Sequence, residues 1–177
     1  MRVLHVLAQL PAKTGSGVYF TNVIEGLESF NHEQAALYGT SPEHNFNILD
    51  TVYEVEFEGK DLDFPIVGMS DIMPYNNTLY KDMTEEMVNS WEKAFREKLL
   101  KAKEEFNPDV VITHHLWILS SIVCEIFNDK KIIGVCHNTD IRQAEKNPVM
   151  KEKYVLNLGK LDKILALSSG QIDEIAE

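Results

Sequence analysis

The chain has 177 residues, 44% of them hydrophobic and 25% charged, which suits one ordinary globular domain with a core of its own. A formal net charge of −11 argues against the basic stripe that nucleic-acid binding needs, and weakens attachment to anionic lipid through charge alone. The two cysteines, Cys124 and Cys136, are too few to staple a secreted scaffold and lie in apolar contexts, so they read as reduced core residues of a cytoplasmic protein.

Residues 2–8, RVLHVLA, form the short apolar run expected of a strand buried on both faces. No run in the sequence is apolar for long enough to span a bilayer. A glycine loop, Gly15-Ser16-Gly17, then opens a helix predicted over 16–30, with Phe20, Val23, Ile24, Leu27 and Phe30 at helical spacing. EQAALY, residues 33–38, predicts a second strand closed by Gly39. Residues 40–83 are less regular: YEVEFEG alternates like a half-exposed strand, and the rest is loop-like, with Met69, Met73, Tyr75 and Tyr80 scattered through it. This stretch suits an acceptor loop, a shallow membrane contact or simple packing on the sheet edge.

Order returns with a long helix from about Thr84 to Phe106, striped by Met87, Trp91, Phe95, Leu99 and Ala102. Asn107-Pro108-Asp109 ends it, because proline lacks the backbone donor and clashes with the preceding turn. Then follow VVIT as a strand, LWILSSIVCEIF as a helix, KIIGVC as a strand, polar helices over 140–159, and KILAL as a strand. The final SSGQIDEIAE reads as the opening turns of a helix without a stop signal, as though the chain were cut there. Alternating strands and helices predict an α/β fold: a Rossmann-like parallel sheet with helices on both faces.

In open parallel sheets ligands bind outside the carboxyl ends of the strands, so the residues that follow each strand carry the chemistry. After the first strand come Gln9 to Gly17; after VVIT come His114 and His115; after KIIGVC come His137, Asn138, Thr139, Asp140 and Arg142; after KILAL come Ser168 and Ser169. The glycine loop exposes a helix N-terminus, which favours an anion, with a plain tight turn as the alternative. Neither standard nucleotide fingerprint fits: Phe20 stands where a dinucleotide site needs its third glycine, and Lys13-Thr14 precede the glycines instead of following them. His137 ends a buried strand among small polar residues, where an imidazole can donate to a hydroxyl or polarise a reacting group; the alternative is a structural histidine. His114 and His115 are neighbours, so in extended chain they point to opposite sides, one lining the cleft while the other packs. The spacing of His114, His137 and Asp140 matches no zinc motif, and no metal is expected.

Taken in order, RVLHVLAQLPAKTGSGVYFTNVIEGL, NPDVVITHH, GVCHNTDIRQ and LDKILALSS resemble the N-terminal half of retaining glycosyltransferase family 4 enzymes, which have the GT-B fold. The likeness covers most of the chain and is weakest over 40–83. It implies that residues 1–177 are an N-terminal, acceptor-side Rossmann-like domain, with the donor-binding C-terminal domain and its pair of glutamates absent. The implied reaction moves a sugar from a nucleotide-diphosphate sugar to an acceptor hydroxyl with retention, without a further cofactor, and this fragment alone is expected to be inactive. By position, Gly15, Ser16 and Gly17 match the family's loop beside the diphosphate and acceptor, and His137 matches the histidine near the transferred sugar. Arg142 falls where an acceptor or phosphate contact is plausible, and His114, His115, Asn138, Thr139 and Asp140 complete the candidate substrate-binding set. The implied partners are a nucleotide sugar, an acceptor and the missing domain. The implied location is cytoplasmic, with peripheral contact to the inner face of the membrane left open. Two other readings stand beside it: a GT-B-like epimerase or phosphorylase acting on activated sugars, and a non-catalytic binding module for an anionic small molecule.

Overall fold

The computed structural model describes residues 1–176. Its strands and helices follow in the order β1 (Arg2–Leu7), α1 (Gly15–Glu28), β2 (Glu33–Thr40), β3 (Val52–Glu56), β4 (Val67–Gly68), β5 (Thr78–Leu79), α2 (Glu85–Glu105) and β6 (Val110–His114). They continue with α3 (Ile118–Ile126), β7 (Lys131–Cys136), α4 (Thr139–Lys146), α5 (Pro148–Tyr154), β8 (Lys163–Ala166) and α6 (Gln171–Ala176). Six strands form one sheet in the order β3-β2-β1-β6-β7-β8, every neighbouring pair parallel. The chain winds outward in one direction from β1 and in the other from β6, so the switch point of this Rossmann-like sheet lies between them.

Strand alternation sorts the core onto the two faces. Leu4, Val6 and Ala8 of the first strand and its extension join the larger cluster with Trp91, Phe95 and Leu99 of α2 and Ile122 of α3. Leu7 joins the smaller cluster with Phe20 and Ile24 of α1 and Ala36 and Tyr38 of β2. Helices therefore cover both faces, as the sequence pattern predicts.

Helix α1 is capped by Thr14, whose Oγ1 accepts from the Gly17 amide at 3.0 Å. It stops at Glu28, short of the predicted Phe30, which is 64% exposed and stacks on His32 instead of extending the buried stripe. The second strand runs through Gly39 to Thr40, because the missing side chain lets its backbone pass Ala8: a Cβ there would lie 2.6 Å from the Ala8 carbonyl oxygen. Helix α2 carries the expected stripe, with Trp91, Phe95, Leu99 and Ala102 buried, and Thr84 caps it through the Met87 amide at 3.2 Å. Strand β8 falls within the predicted KILAL run. It forms the outer edge of the sheet, and Ile164, Leu165 and the following Leu167 are 41–46% exposed despite their apolar run.

The loop-like stretch before α2 is a structured strap. Thr78 closes its base, donating its amide to the Ile66 carbonyl and its hydroxyl to the Pro65 carbonyl, each at 2.9 Å. Within it Met69 is buried and held twice, its amide donating to Gln9 Oε1 at 3.4 Å and its carbonyl accepting from Gln143 Nε2 at 3.0 Å. Lys146 of α4 pairs with Asp71 at the turn. Among the described residues no helix is long and apolar enough to cross a membrane.

Candidate functional site

A cleft of about 480 Å3 opens outside the carboxyl ends of the central strands. Lys13, Thr14, Gly15, Ser16 and Tyr19 line one side, the strap residues Met69, Ser70 and Ile72 to Pro74 another, and His137, Thr139 and Leu167 close it.

The N-terminus of α1 is built from inside. Gln9, only 1% exposed, donates Nε2 to Ser16 Oγ at 2.7 Å and to Thr14 Oγ1 at 3.1 Å, while its Oε1 holds the strap. The two glycines of the loop differ in their surroundings. A Cβ on Gly15 would meet nothing within 4 Å, so this residue faces open space at the helix end. A Cβ on Gly17 would lie 2.7 Å from both the Ala12 amide nitrogen and the Leu10 carbonyl oxygen. Gly17 is thus buried in the turn and lies outside the cleft lining, whereas Gly15 and Ser16 belong to it.

Lys13 adopts a left-handed backbone (φ 66°), and its Nζ donates to His44 Nε2 at 2.8 Å. An ammonium group can only donate, so His44 carries its proton on Nδ1 and gives it to Ser41 Oγ at 2.9 Å. Burial and then the lysine charge push the His44 pKa down. The arrangement holds one cation at the rim of the cleft.

The histidines do not diverge as adjacent residues of an extended chain would. His115 has φ 67°, outside the extended region, and both His114 and His115 pack against His137, with ring centroids 5.3 and 4.6 Å away. His114 Nδ1 lies 3.0 Å from His137 Nε2, and His115 Nδ1 lies 3.3 Å from Thr139 Oγ1. Tyr19 meets the His137 ring edge-on at 5.5 Å. His114 and His115 are buried behind the cleft, and neither lines it. Burial lowers the pKa of all three histidines, most strongly for His114 and His115, and for His137 the nearby Asp140 carboxylate opposes the shift.

Asp140 is placed differently from the substrate-contact reading. It is 1% exposed, and its Oδ2 accepts from the Leu116 amide at 2.7 Å, while both oxygens accept from the His137 amide at 3.2 Å. Its carboxylate staples the loops after β6 and β7 together, leaving no oxygen turned to the cleft. Asn138 and Arg142 line a separate hollow with Ile141, Glu145 and Glu174. Of the candidate residues, Gly15, Ser16, His137 and Thr139 therefore converge on one cleft. Reading the sequence missed Tyr19, Ile72, Pro74 and Leu167. Tyr19 had a signal, lying one helical turn beyond Ser16; the strap residues had none. Among the described residues, no cluster of three or more His, Cys, Asp or Glu side chains could hold a metal ion.

No protein-family model and no curated protein matches the chain. Solved structures do. A sucrose-phosphate synthase from Thermosynechococcus elongatus superposes with a TM-score of 0.62 at 11% identity, over 98% of this chain and 44% of that one. A UDP-GlcNAc 2-epimerase from Neisseria meningitidis bound to UDP-GlcNAc gives 0.58 at 11% identity, over 99% and 43%. An alpha-glucosyltransferase in complex with UDP and a 13-mer DNA gives 0.52 at 10%, over 96% and 37%. A GT-B N-terminal domain fits this chain. The likeness is one of fold, and the chain spans less than half the length of each of these structures. GT-B transferases and epimerases thus share this six-stranded frame with the chain.

Proposed function

We propose that this chain is the acceptor-side half of a retaining glycosyltransferase that moves a sugar from a nucleotide-diphosphate donor to an acceptor hydroxyl. The observation that carries this reading is the convergence of an open helix N-terminus, a neutral histidine and a hydroxyl on one cleft beside the switch point. In this reading, the amides at Gly15 and Ser16 and the ammonium of Lys13 face the diphosphate, where negative charge grows as the bond to the sugar breaks. His137 hydrogen-bonds the sugar, and the acceptor lies against Tyr19 and the strap. Because the acceptor oxygen attacks the face that the diphosphate leaves, and gives its proton to the departing phosphate oxygen, the anomeric configuration is kept. The nucleotide and the rest of the donor belong to a second α/β domain.

The test incubates the chain with UDP-, ADP- and GDP-sugars and follows nucleotide release. Residues 1–177 alone are expected to release none, and sustained turnover would overturn the split-site reading. In a longer natural polypeptide that carries the second domain, a glycoside that keeps the donor's anomeric configuration is expected; an epimerised nucleotide sugar would assign an epimerase instead. There, His137→Ala is expected to lower the rate about 100-fold, the scale of one lost transition-state hydrogen bond. An unchanged rate removes the role of His137.

A further inference from the structure

The three-histidine cluster leaves two nitrogens stranded. Nε2 of His114 and Nε2 of His115 are buried and meet no protein donor or acceptor among the described residues. Each ring uses its other nitrogen outward: His114 Nδ1 toward His137 Nε2, and His115 Nδ1 toward Thr139 Oγ1. A neutral imidazole carries one proton, and where that proton sits fixes the direction of every bond in the chain. An orphaned buried N–H is rarer than an under-used acceptor, so each stranded Nε2 is best left as the bare lone pair. The proton of each ring then sits on Nδ1.

We propose that His114 and His115 are positioning residues that turn His137 and Thr139 into a pair of hydrogen-bond donors facing the cleft. His114 Nδ1–H donates to His137 Nε2, which must then be the acceptor, so His137 carries its own proton on Nδ1, the nitrogen that remains for a ligand. In parallel, His115 Nδ1–H donates to Thr139 Oγ1, leaving the threonine proton free to be given away. Both Thr139 and His137 line the cleft, and both buried rings stand directly behind them. A site with two such donors suits ligand atoms that offer lone pairs, as the oxygens of a glycosyl or phosphoryl group do. It also means that His137 cannot take up a proton at Nδ1 as a general base; it acts by donating. The tautomer pattern stands on the geometry alone, whereas the identity of the oxygen as a glycosyl one rests on the function proposed above.

The test needs no substrate. On the 15N-labelled chain near pH 7.5, long-range 1H–15N correlations from the ring carbons distinguish protonated from bare nitrogens. The expected result is Nδ1–H for His114, His115 and His137 alike, against the Nε2–H form that free imidazole side chains favour. In His114→Phe, which keeps an aromatic ring but has no nitrogen, His137 is expected to shift toward the Nε2–H form while His115 keeps its pattern. A wild-type His137 protonated on Nε2, with His114 Nε2–H turned to the ring of Phe20 (5.2 Å between centroids), would reverse the relay and overturn the proposal. So would an unchanged His137 in the variant. Since the wild-type spectrum alone decides the first point, a variant that failed to fold would leave the proposal testable.

Discussion

Gly15 and Gly17 stand two positions apart in one loop, yet they answer to different neighbours. Gly17→Ala would drive a methyl group into the backbone of Leu10 and Ala12, and we expect a loss of about 1–3 kcal/mol in urea unfolding, the scale of overpacking. Gly15→Ala meets open space at the first turn of α1 and is expected to stabilise by about 0.5–1 kcal/mol through the unfolded chain. Equal effects at the two sites would show that the loop does not distinguish them. The motif made the loop visible in the sequence, because two glycines between a strand and a helix require a turn or a close approach. Which glycine served which purpose was not visible, since the atoms that crowd Gly17 depend on how residues 10–12 fold back. His115 is a similar case. Nothing in the pair His114-His115 announces a left-handed backbone, and that one dihedral decides whether the two rings separate or meet at His137.

At the level of elements, legibility followed the range of the interactions. Helices α1 and α2 could be read because their caps and apolar stripes lie within a few residues of one another. The strap could not, because Met69 is held by Gln9 and Gln143, 60 and 74 residues away. Strand β8 was visible as the apolar KILAL run, whereas its exposure was not, because burial depends on what covers the edge. The strap's dependence on long-range bonds gives a direct expectation. Gln143→Leu leaves the Met69 carbonyl without its buried donor, which should cost about 1–3 kcal/mol. Amide exchange should accelerate over residues 69–73 while α1 from Val18 onward, where the amides are bonded within the helix, stays protected. Uniform protection in both segments would show that Lys146 and the base of the strap suffice to hold it.

For the whole molecule, the buried histidines set the response to acid. Burial pushes the pKa of His5 from 6.5 down to about 4, with its hydrogen bond to Gln34 opposing. The folded chain therefore refuses a proton that the unfolded chain binds below about pH 6.5. Stability from this group is complete above that pH and is lost as the pH falls from 6.5 to 4, by up to about 3 kcal/mol at 1.4 kcal/mol per pH unit. His114 and His115, shifted the same way, deepen the fall. The urea midpoint is expected to drop between pH 7.5 and 5, and to drop less in His5→Gln. A flat profile over that range would mean that these rings are charged in the folded chain.

The pairing of β1 with β6 has a consequence for how the molecule comes into being. One edge of β1 finds its partner early, at Glu33 to Tyr38, but the other waits for Val110 to Thr113, so that Val3 ends beside Val110. During synthesis the innermost strand emerges first and is flanked on one side only until more than half of the chain has followed it. His137 and Thr139, which follow β7, and Leu167, which follows β8, arrive later still, so one wall of the cleft cannot exist before the sheet closes. Closing a loop of that length is slow and leaves an apolar edge open in the meantime. Trp117, buried just beyond β6, sits where its fluorescence would follow that docking step. The clock for assembling this wall of the cleft is then the clock for completing the sheet.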